Sequence, residues 1–239
     1  MKPYLLAGLL ACAPVLATAQ SLTDADVKRL ALEAIVENPE IVMEAISILQ
    51  QREADAANQA KSSVLSSERE LLEQDPNAPV MGNPDGAGVI VEFFDYNCPY
   101  CRKAAADVKA LLGKDDDVRV VYREWPILGE GSVFAARAAL AAREQGKYEE
   151  LHWRLMELDG RAEEASVLAV AEEIGMDIDK LQADMDKPEV AEHVATSMRL
   201  AEALGFNGTP SFVIGDALVP GVVPLDQLEA LVDESRKPE

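Results

Sequence analysis

The chain has 239 residues, with 43 Asp plus Glu against 22 Lys plus Arg and a formal net charge of −21. A surface this acidic repels nucleic acid and anionic lipid, which excludes nucleic-acid binding and membrane-surface roles. The charge is dispersed, with no block of five like residues, and so describes a solvated exterior rather than a charged tail.

The first segment carries Lys2, an apolar run from Leu5 to Leu16, and Ala17-Thr18-Ala19, the small-x-small form that precedes signal cleavage. Residues 1–19 are expected to be an export signal cut after Ala19, which makes the mature protein an exported one. Leu9-Leu10-Ala11-Cys12 loosely resembles a lipoprotein cleavage site, but the apolar run before it is too short. No later stretch reaches the roughly 20 apolar residues of a membrane span, so no membrane insertion is expected. Removal of the signal leaves Cys98 and Cys101 as the sole cysteines. One close pair in an oxidising compartment suits redox chemistry better than scaffolding.

Residues 20–74 form a helical arm in this reading. Leu22, Val27, Leu30, Ala31, Ala34 and Ile35 follow helical spacing, and Asn38-Pro39-Glu40 marks the start of a second helix. That helix carries Ile41, Val42, Ala45, Ile46, Ile48 and Leu49, an apolar face broader than a surface helix needs. From Arg52 to Glu70 the chain becomes polar and Ala-rich, as in a long exposed helix or connector. The turn-rich segment from Asp75 to Gly88 ends the arm as a loop.

Residues 75–239 then form one domain. Strand Val89–Tyr96, helix Cys98–Leu112 and strand Val118–Glu124 make a βαβ unit. A helical block follows over about 132–206, with Gly146, Gly160, Gly175 and Gly205 at the expected stops. Short strands Ser211–Gly215 and Ala217–Pro220 and a closing helix from Pro224 to Glu234 complete it. The fold class is α/β: a thioredoxin-like frame with a helical insertion, plus the N-terminal helical arm.

Cys98-Pro99-Tyr100-Cys101 lies where the first strand turns into a helix. Two intervening residues let the sulfurs meet, and the first sulfur faces the unpaired N–H groups of a helix N-terminus, which favour its thiolate. The pair can therefore cycle between dithiol and disulfide. Cys98, Cys101, His152 and His193 are in number a zinc set, but their spacing matches no compact zinc motif. No metal and no cofactor is expected, and both histidines are read as helix-surface or helix-packing residues. Trp125, Phe134 and Trp153 are read as core before groove, and Met43 and Met198 as core fillers.

Glu92-Phe93-Phe94-Asp95-Tyr96-Asn97-Cys98-Pro99-Tyr100-Cys101, the helical insertion and Gly208-Thr209-Pro210-Ser211-Phe212 together resemble the DsbA/DsbG superfamily of thiol–disulfide oxidoreductases. Glu37-Asn38-Pro39-Glu40-Ile41-Val42-Met43-Glu44-Ala45 resembles the arm of the ScsC (suppressor of copper sensitivity) branch. The resemblance implies that Cys98 is the exposed nucleophile and Cys101 the buried resolving thiol. It also implies that Pro99 and Tyr100 tune the thiolate and that Thr209-Pro210 is a cis-proline loop facing the sulfurs and pairing with substrate. Tyr100 differs from the histidine of the strongly oxidising branch, which argues for a milder pair. Glu92, with apolar neighbours on its strand, is expected to be buried with a raised pKa and, by resemblance, to accept the Cys101 proton. The alternative is a surface glutamate at a strand end.

The expected function is a disulfide isomerase acting on unfolded or misdisulfided exported proteins, as a homo-oligomer (trimer or dimer) reset by a membrane thiol-redox partner. The alternatives are a monomeric disulfide oxidase and a copper-stress protein that holds Cu(I) on the two thiols.

Overall fold

The computed structural model describes residues 23–237, so the expected export signal and Cys12 lie outside the described residues. The chain divides into two compact units, with the boundary between Asp55 and Ala56.

In the first unit, α1 (Asp24–Glu37) opens with a capping box: Thr23 accepts from the Asp26 backbone N–H and the Asp26 carboxylate reaches back to the Thr23 N–H. Asn38 closes α1 by donating its backbone and side-chain N–H groups to the Ala34 carbonyl. Pro39 stands just ahead of α2 (Glu40–Gln74), where its missing N–H costs nothing. Residues 24–55 have no buried side chain. Met43 is 66% exposed, and so is not a core filler. Two helices alone have no second layer to cover a broad apolar face.

The second unit begins inside α2, and here the arm assignment is corrected. Leu65 and Leu72, two helical turns apart, are buried against the sheet with Val91, Phe93, Val121 and Val213. The stretch read as an exposed connector thus supplies one layer of the second unit, which starts at Ala56 rather than at residue 75. Its polar residues fill the other faces of the helix. Arg123, on the sheet and fully buried, ties down the end of α2 through a 2.6 Å ion pair with Asp75 and a hydrogen bond to the Leu71 carbonyl.

The sheet has strand order β1-β3-β2-β4-β5, from β1 (Val80–Gly82), β2 (Gly88–Phe94), β3 (Val118–Glu124), β4 (Ser211–Ile214) and β5 (Ala217–Pro220). β2 and β3 are parallel, joined through α3 (Pro99–Lys114), and every other pairing is antiparallel. Edge strand β1 lies within the segment read as loop; three residues, the last of them a glycine of positive φ, are too few to show alternation.

Period two splits the central strand between two cores. Val91 and Phe93 face α2 and α8 (Pro188–Ala203), with Leu200, Ala201 and Leu204. Ile90 and Phe94 face α3, α9 (Leu225–Ser235) and the insertion, meeting Val108, Leu111, Leu228 and Val232. The insertion consists of α4 (Glu130–Ala142), a 3₁₀ turn, α5 (Tyr148–Met156), α6 (Glu164–Glu173), α7 (Ile178–Met185) and α8. Gly146, Gly160, Gly175 and Gly205 all have positive φ, as their place after helices anticipates. Met198 on α8 is 49% exposed, another departure from the core assignment.

Candidate active site

β2 ends at Phe94, and the next four residues turn the chain into α3 through side-chain hydrogen bonds. The buried Asp95 carboxylate accepts from the Asn97 N–H at 2.7 Å and, on its other oxygen, from the Ile127 and Leu128 N–H groups at 2.8 and 2.9 Å. Asn97 grips the insertion: its amide donates to Ser132 and to the Ala162 carbonyl, and its oxygen accepts from the Ala162 N–H at 2.8 Å. Arg102 donates to the Tyr96 and Leu158 carbonyls, both at 2.8 Å. Asp95, Asn97 and Arg102 thereby fix the thiol-bearing turn to the insertion. Sequence reasoning assigned none of them a role; the only signal was an Asx residue at each of two alternate positions before Cys98.

Cys98 is the N-cap of α3, in extended conformation (φ −82°, ψ 117°), and Pro99 occupies the first turn. Its sulfur therefore meets the helix N-terminus. Hydrogen bonding from the Cys101 side chain, then from the Thr209 side chain and the Cys101 and Tyr100 backbone, outweighs burial and lowers the Cys98 pKa to about 5. Cys101, one turn in and fully buried, moves the opposite way: burial, then Cys98, pushes its thiol far up. One sulfur is thus a thiolate at neutral pH and its neighbour a protonated thiol. Cys98 is only 4% exposed, so the expectation of an exposed nucleophile is corrected; Tyr100, at 63%, is the open residue of the motif. Cys98 is covered by the loop before β4, where its Sγ lies 3.2 Å from the Thr209 carbonyl oxygen.

The Thr209-Pro210 bond is cis, and the Pro210 carbonyl accepts from the Gly221 N–H at 2.8 Å. More than 100 residues of sequence separate Thr209 from Cys98, and sheet pairing of β2 with β4 brings them together. Glu92, on β2, is 1% exposed, not at a surface strand end, and burial raises its pKa to about 8. Its charge is among the influences that raise the Cys101 pKa. Cys98, Cys101, Pro99, Tyr100, Thr209, Pro210 and Glu92 therefore converge on one end of the sheet.

The histidines do not. His152 is buried among Phe94, Tyr96, Tyr122 and Tyr148, and burial lowers its pKa to about 3. His193 Nδ1 donates to the Asn77 carbonyl and its Nε2 accepts from the Glu124 N–H, and burial, followed by the charge of Arg123, lowers its pKa to about 3. Among the described residues no group of three or more His, Cys, Asp or Glu side chains is arranged to hold a metal ion. Trp125 packs edge-on to Phe93, whereas Trp153 is half-buried beneath the Lys109 ammonium.

The model of the DSBA-like thioredoxin domain matches residues 89–233. The chain belongs to this family. Residues 25–56 match a second model, the copper resistance protein ScsC N-terminal domain, over nearly all the described residues of the first structural unit. The DSBA-like domain here is similar to a thioredoxin-like oxidoreductase from Silicibacter pomeroyi DSS-3, with 62% identity over 72% of this chain and 99% of that one, TM-score 0.71. With the arm included, the chain is similar to Proteus mirabilis ScsC in a transitional conformation: 33% identity, 89% and 96% coverage, TM-score 0.67. The thiol–disulfide exchange protein alpha-DsbA2 from Wolbachia pipientis is 30% identical over 75% of this chain and 97% of that one, TM-score 0.69. Among curated relatives, the Na(+)/H(+) antiporter NhaA 3 of Salinispora tropica is 31% identical over 165 residues, 68% of this chain. The chain spans about a quarter of the length of that relative. No helix among the described residues is long and apolar enough to cross a membrane.

Proposed function

We propose that the protein is a periplasmic disulfide isomerase, working as a homo-oligomer held by residues 20–55 on exported proteins that carry wrong disulfides. The observation that carries this reading is the pairing of a low-pKa thiolate at Cys98 with an arm that leaves Ile41, Met43, Ile46, Ile48 and Leu49 at 41–66% exposure. An apolar face of that breadth marks an association surface, and the match of 25–56 to the ScsC N-terminal domain supports the same reading.

In the proposed mechanism the Cys98 thiolate attacks one sulfur of a substrate disulfide. A mixed disulfide forms, and the substrate's other sulfur leaves as a thiolate. That thiolate attacks elsewhere in the substrate, a further exchange frees Cys98, and no net oxidant is consumed. Where the substrate stalls, Cys101 gives its proton to Glu92 in the minority of molecules in which that carboxyl is ionised and attacks Cys98 Sγ; the substrate sulfur leaves as a thiolate and the pair is left oxidised. A membrane thiol-redox partner then returns it to the dithiol. The backbone of Thr209, beside Cys98, holds the substrate strand, while Pro99 and Tyr100 border it.

The test compares the mature chain with a variant lacking residues 20–55, by light scattering and by repair of a scrambled-disulfide protein. The expected result is an oligomer that repairs, and a monomer that loses repair but keeps dithiol exchange. A monomeric full-length protein that oxidises dithiols and repairs nothing overturns the proposal in favour of an oxidase.

A further inference from the structure

Two buried polar atoms on adjacent strands, Glu92 Oε1 on β2 and Tyr122 Oη on β3, have no hydrogen-bond partner among the described residues. Their residues are direct register partners across the parallel β2–β3 pair. Period two places Glu92 on the same face as Ile90 and Phe94, the face to which Tyr122 also contributes. The Tyr122 ring is held by an edge contact with Phe94 at 5.6 Å and by His152 at 4.6 Å. A buried, unpaired hydroxyl costs about 1–3 kcal/mol, so two such atoms on neighbouring residues call for a shared explanation.

We propose that Tyr122 is a positioning residue for thiol–disulfide exchange: its hydroxyl donates a hydrogen bond to the Glu92 carboxylate as that group takes the Cys101 proton. This rests on the proposed role of Glu92. Burial, followed by the charge of Glu92, raises the Tyr122 pKa far above its ordinary value, so the hydroxyl stays protonated and is available only as a donor. A donor to the charged form of a carboxyl lowers its pKa and draws the buried acid toward the working range. The proton passes from Cys101 Sγ to a Glu92 oxygen, Cys101 attacks Cys98 Sγ, and the substrate sulfur leaves with the electron pair. Tyr122 keeps its own proton throughout. In the reverse direction the protonated Glu92 returns the proton to Cys101.

The other titratable groups around the pair are Tyr96 between β2 and α3, Cys98 and Cys101 at the start of α3, Glu124 on β3, and Tyr148, Glu149 and His152 on α5. From α9 the face receives apolar Leu228 and Val232, and from β4 Phe212, the antiparallel register partner of Glu92.

The experiment uses the full mature chain with Tyr122→Phe, Glu92→Gln and the double variant. Stopped-flow fluorescence follows oxidation of the reduced protein by glutathione disulfide from pH 5 to 9, and the phase whose rate is independent of glutathione concentration reports attack by Cys101. Tyr122→Phe removes an unpartnered hydroxyl and so leaves the fold intact. The expected result is a rising limb displaced to higher pH by about one unit, with a roughly tenfold slower phase below the midpoint and no added effect in the Glu92→Gln background. A slowed phase in Glu92→Gln with an unmoved limb in Tyr122→Phe overturns the role of Tyr122 alone. An unchanged phase in Glu92→Gln overturns the role of Glu92, and that of Tyr122 with it. A merely structural Tyr122 would alter amplitude or stability without moving the limb.

Discussion

Glu92→Gln tests the electrostatics of the site independently of its chemistry. Glu92 is fully buried, its pKa is raised from 4.5 to about 8, and the sole cause is burial. In the folded protein it therefore holds a proton that the unfolded chain releases near pH 4.5. The stability this proton contributes is complete below pH 4.5 and is lost as pH rises toward 8. At pH 7 the loss amounts to about 3 kcal/mol, and at pH 5 to less than about 1 kcal/mol. Glutamine titrates nowhere in this range, so its own packing and hydrogen-bond cost is a constant offset. Urea unfolding of wild type and Glu92→Gln, both in the disulfide form so that neither thiol titrates, and at one protein concentration, isolates the difference. The variant is expected to gain about 2–3 kcal/mol relative to wild type between pH 5 and 7 and to level off above pH 8. Buried Glu124, His152 and His193 titrate alike in both proteins and cancel. A difference that stays flat from pH 5 to 8 would refute the reasoning, since it requires a solvated or paired carboxylate.

Four further outcomes are expected. The reduced protein should gain thiolate absorbance near 240 nm with a midpoint at about pH 5, and Cys101→Ala should raise that midpoint, because the Cys101 side chain is the largest influence on the Cys98 thiolate; an unmoved midpoint assigns the shift to the helix N-terminus instead. Because this pKa is depressed on folding, the stability that the Cys98 thiolate adds to the reduced form should be full above pH 9 and disappear as pH falls through about 5, which reduced-versus-oxidised unfolding curves will show. Asp75→Ala strands the buried Arg123 guanidinium and should cost about 3–5 kcal/mol in chemical denaturation, whereas loss of an exposed ion pair such as Lys109–Glu157 should cost under about 1 kcal/mol. Leu72→Ala should destabilise the domain by about 2–5 kcal/mol, while Leu49→Ala, at a position 56% exposed, should leave monomer stability within about 0.5 kcal/mol and act on association.

Local chemistry made much of this molecule legible in one dimension. Strand β3 falls on its expected span, α3 begins one residue after Cys98, and Gly146, Gly175 and Gly205 take positive φ at helix ends where their spacing placed them. These features depend on neighbours within a few residues, as does the thiolate preference of a cysteine at a helix N-terminus. What failed depended on partners distant in sequence. The end of α2 looked like a connector because Leu65 and Leu72 are its only buried residues, and two leucines in a polar helix acquire meaning only when a sheet lies beneath them. β1 is too short for period two to register, and Met43 and Met198 are apolar residues that stand 66% and 49% exposed.

The same division runs through the site. The sequence by itself determined a thiol pair at a strand-to-helix junction, an acid on the strand before it and a Thr-Pro ahead of a later strand. Only the tertiary structure decided that Thr209 covers Cys98, that Asp95, Asn97 and Arg102 clamp the turn to the insertion, and that Tyr122 stands beside Glu92. The reason is physical: a helix N-terminus is built by consecutive residues. Burial, by contrast, which separates the Cys98 and Cys101 pKa values and lifts that of Glu92, belongs to no residue until the sheet, α3 and the insertion have closed around it.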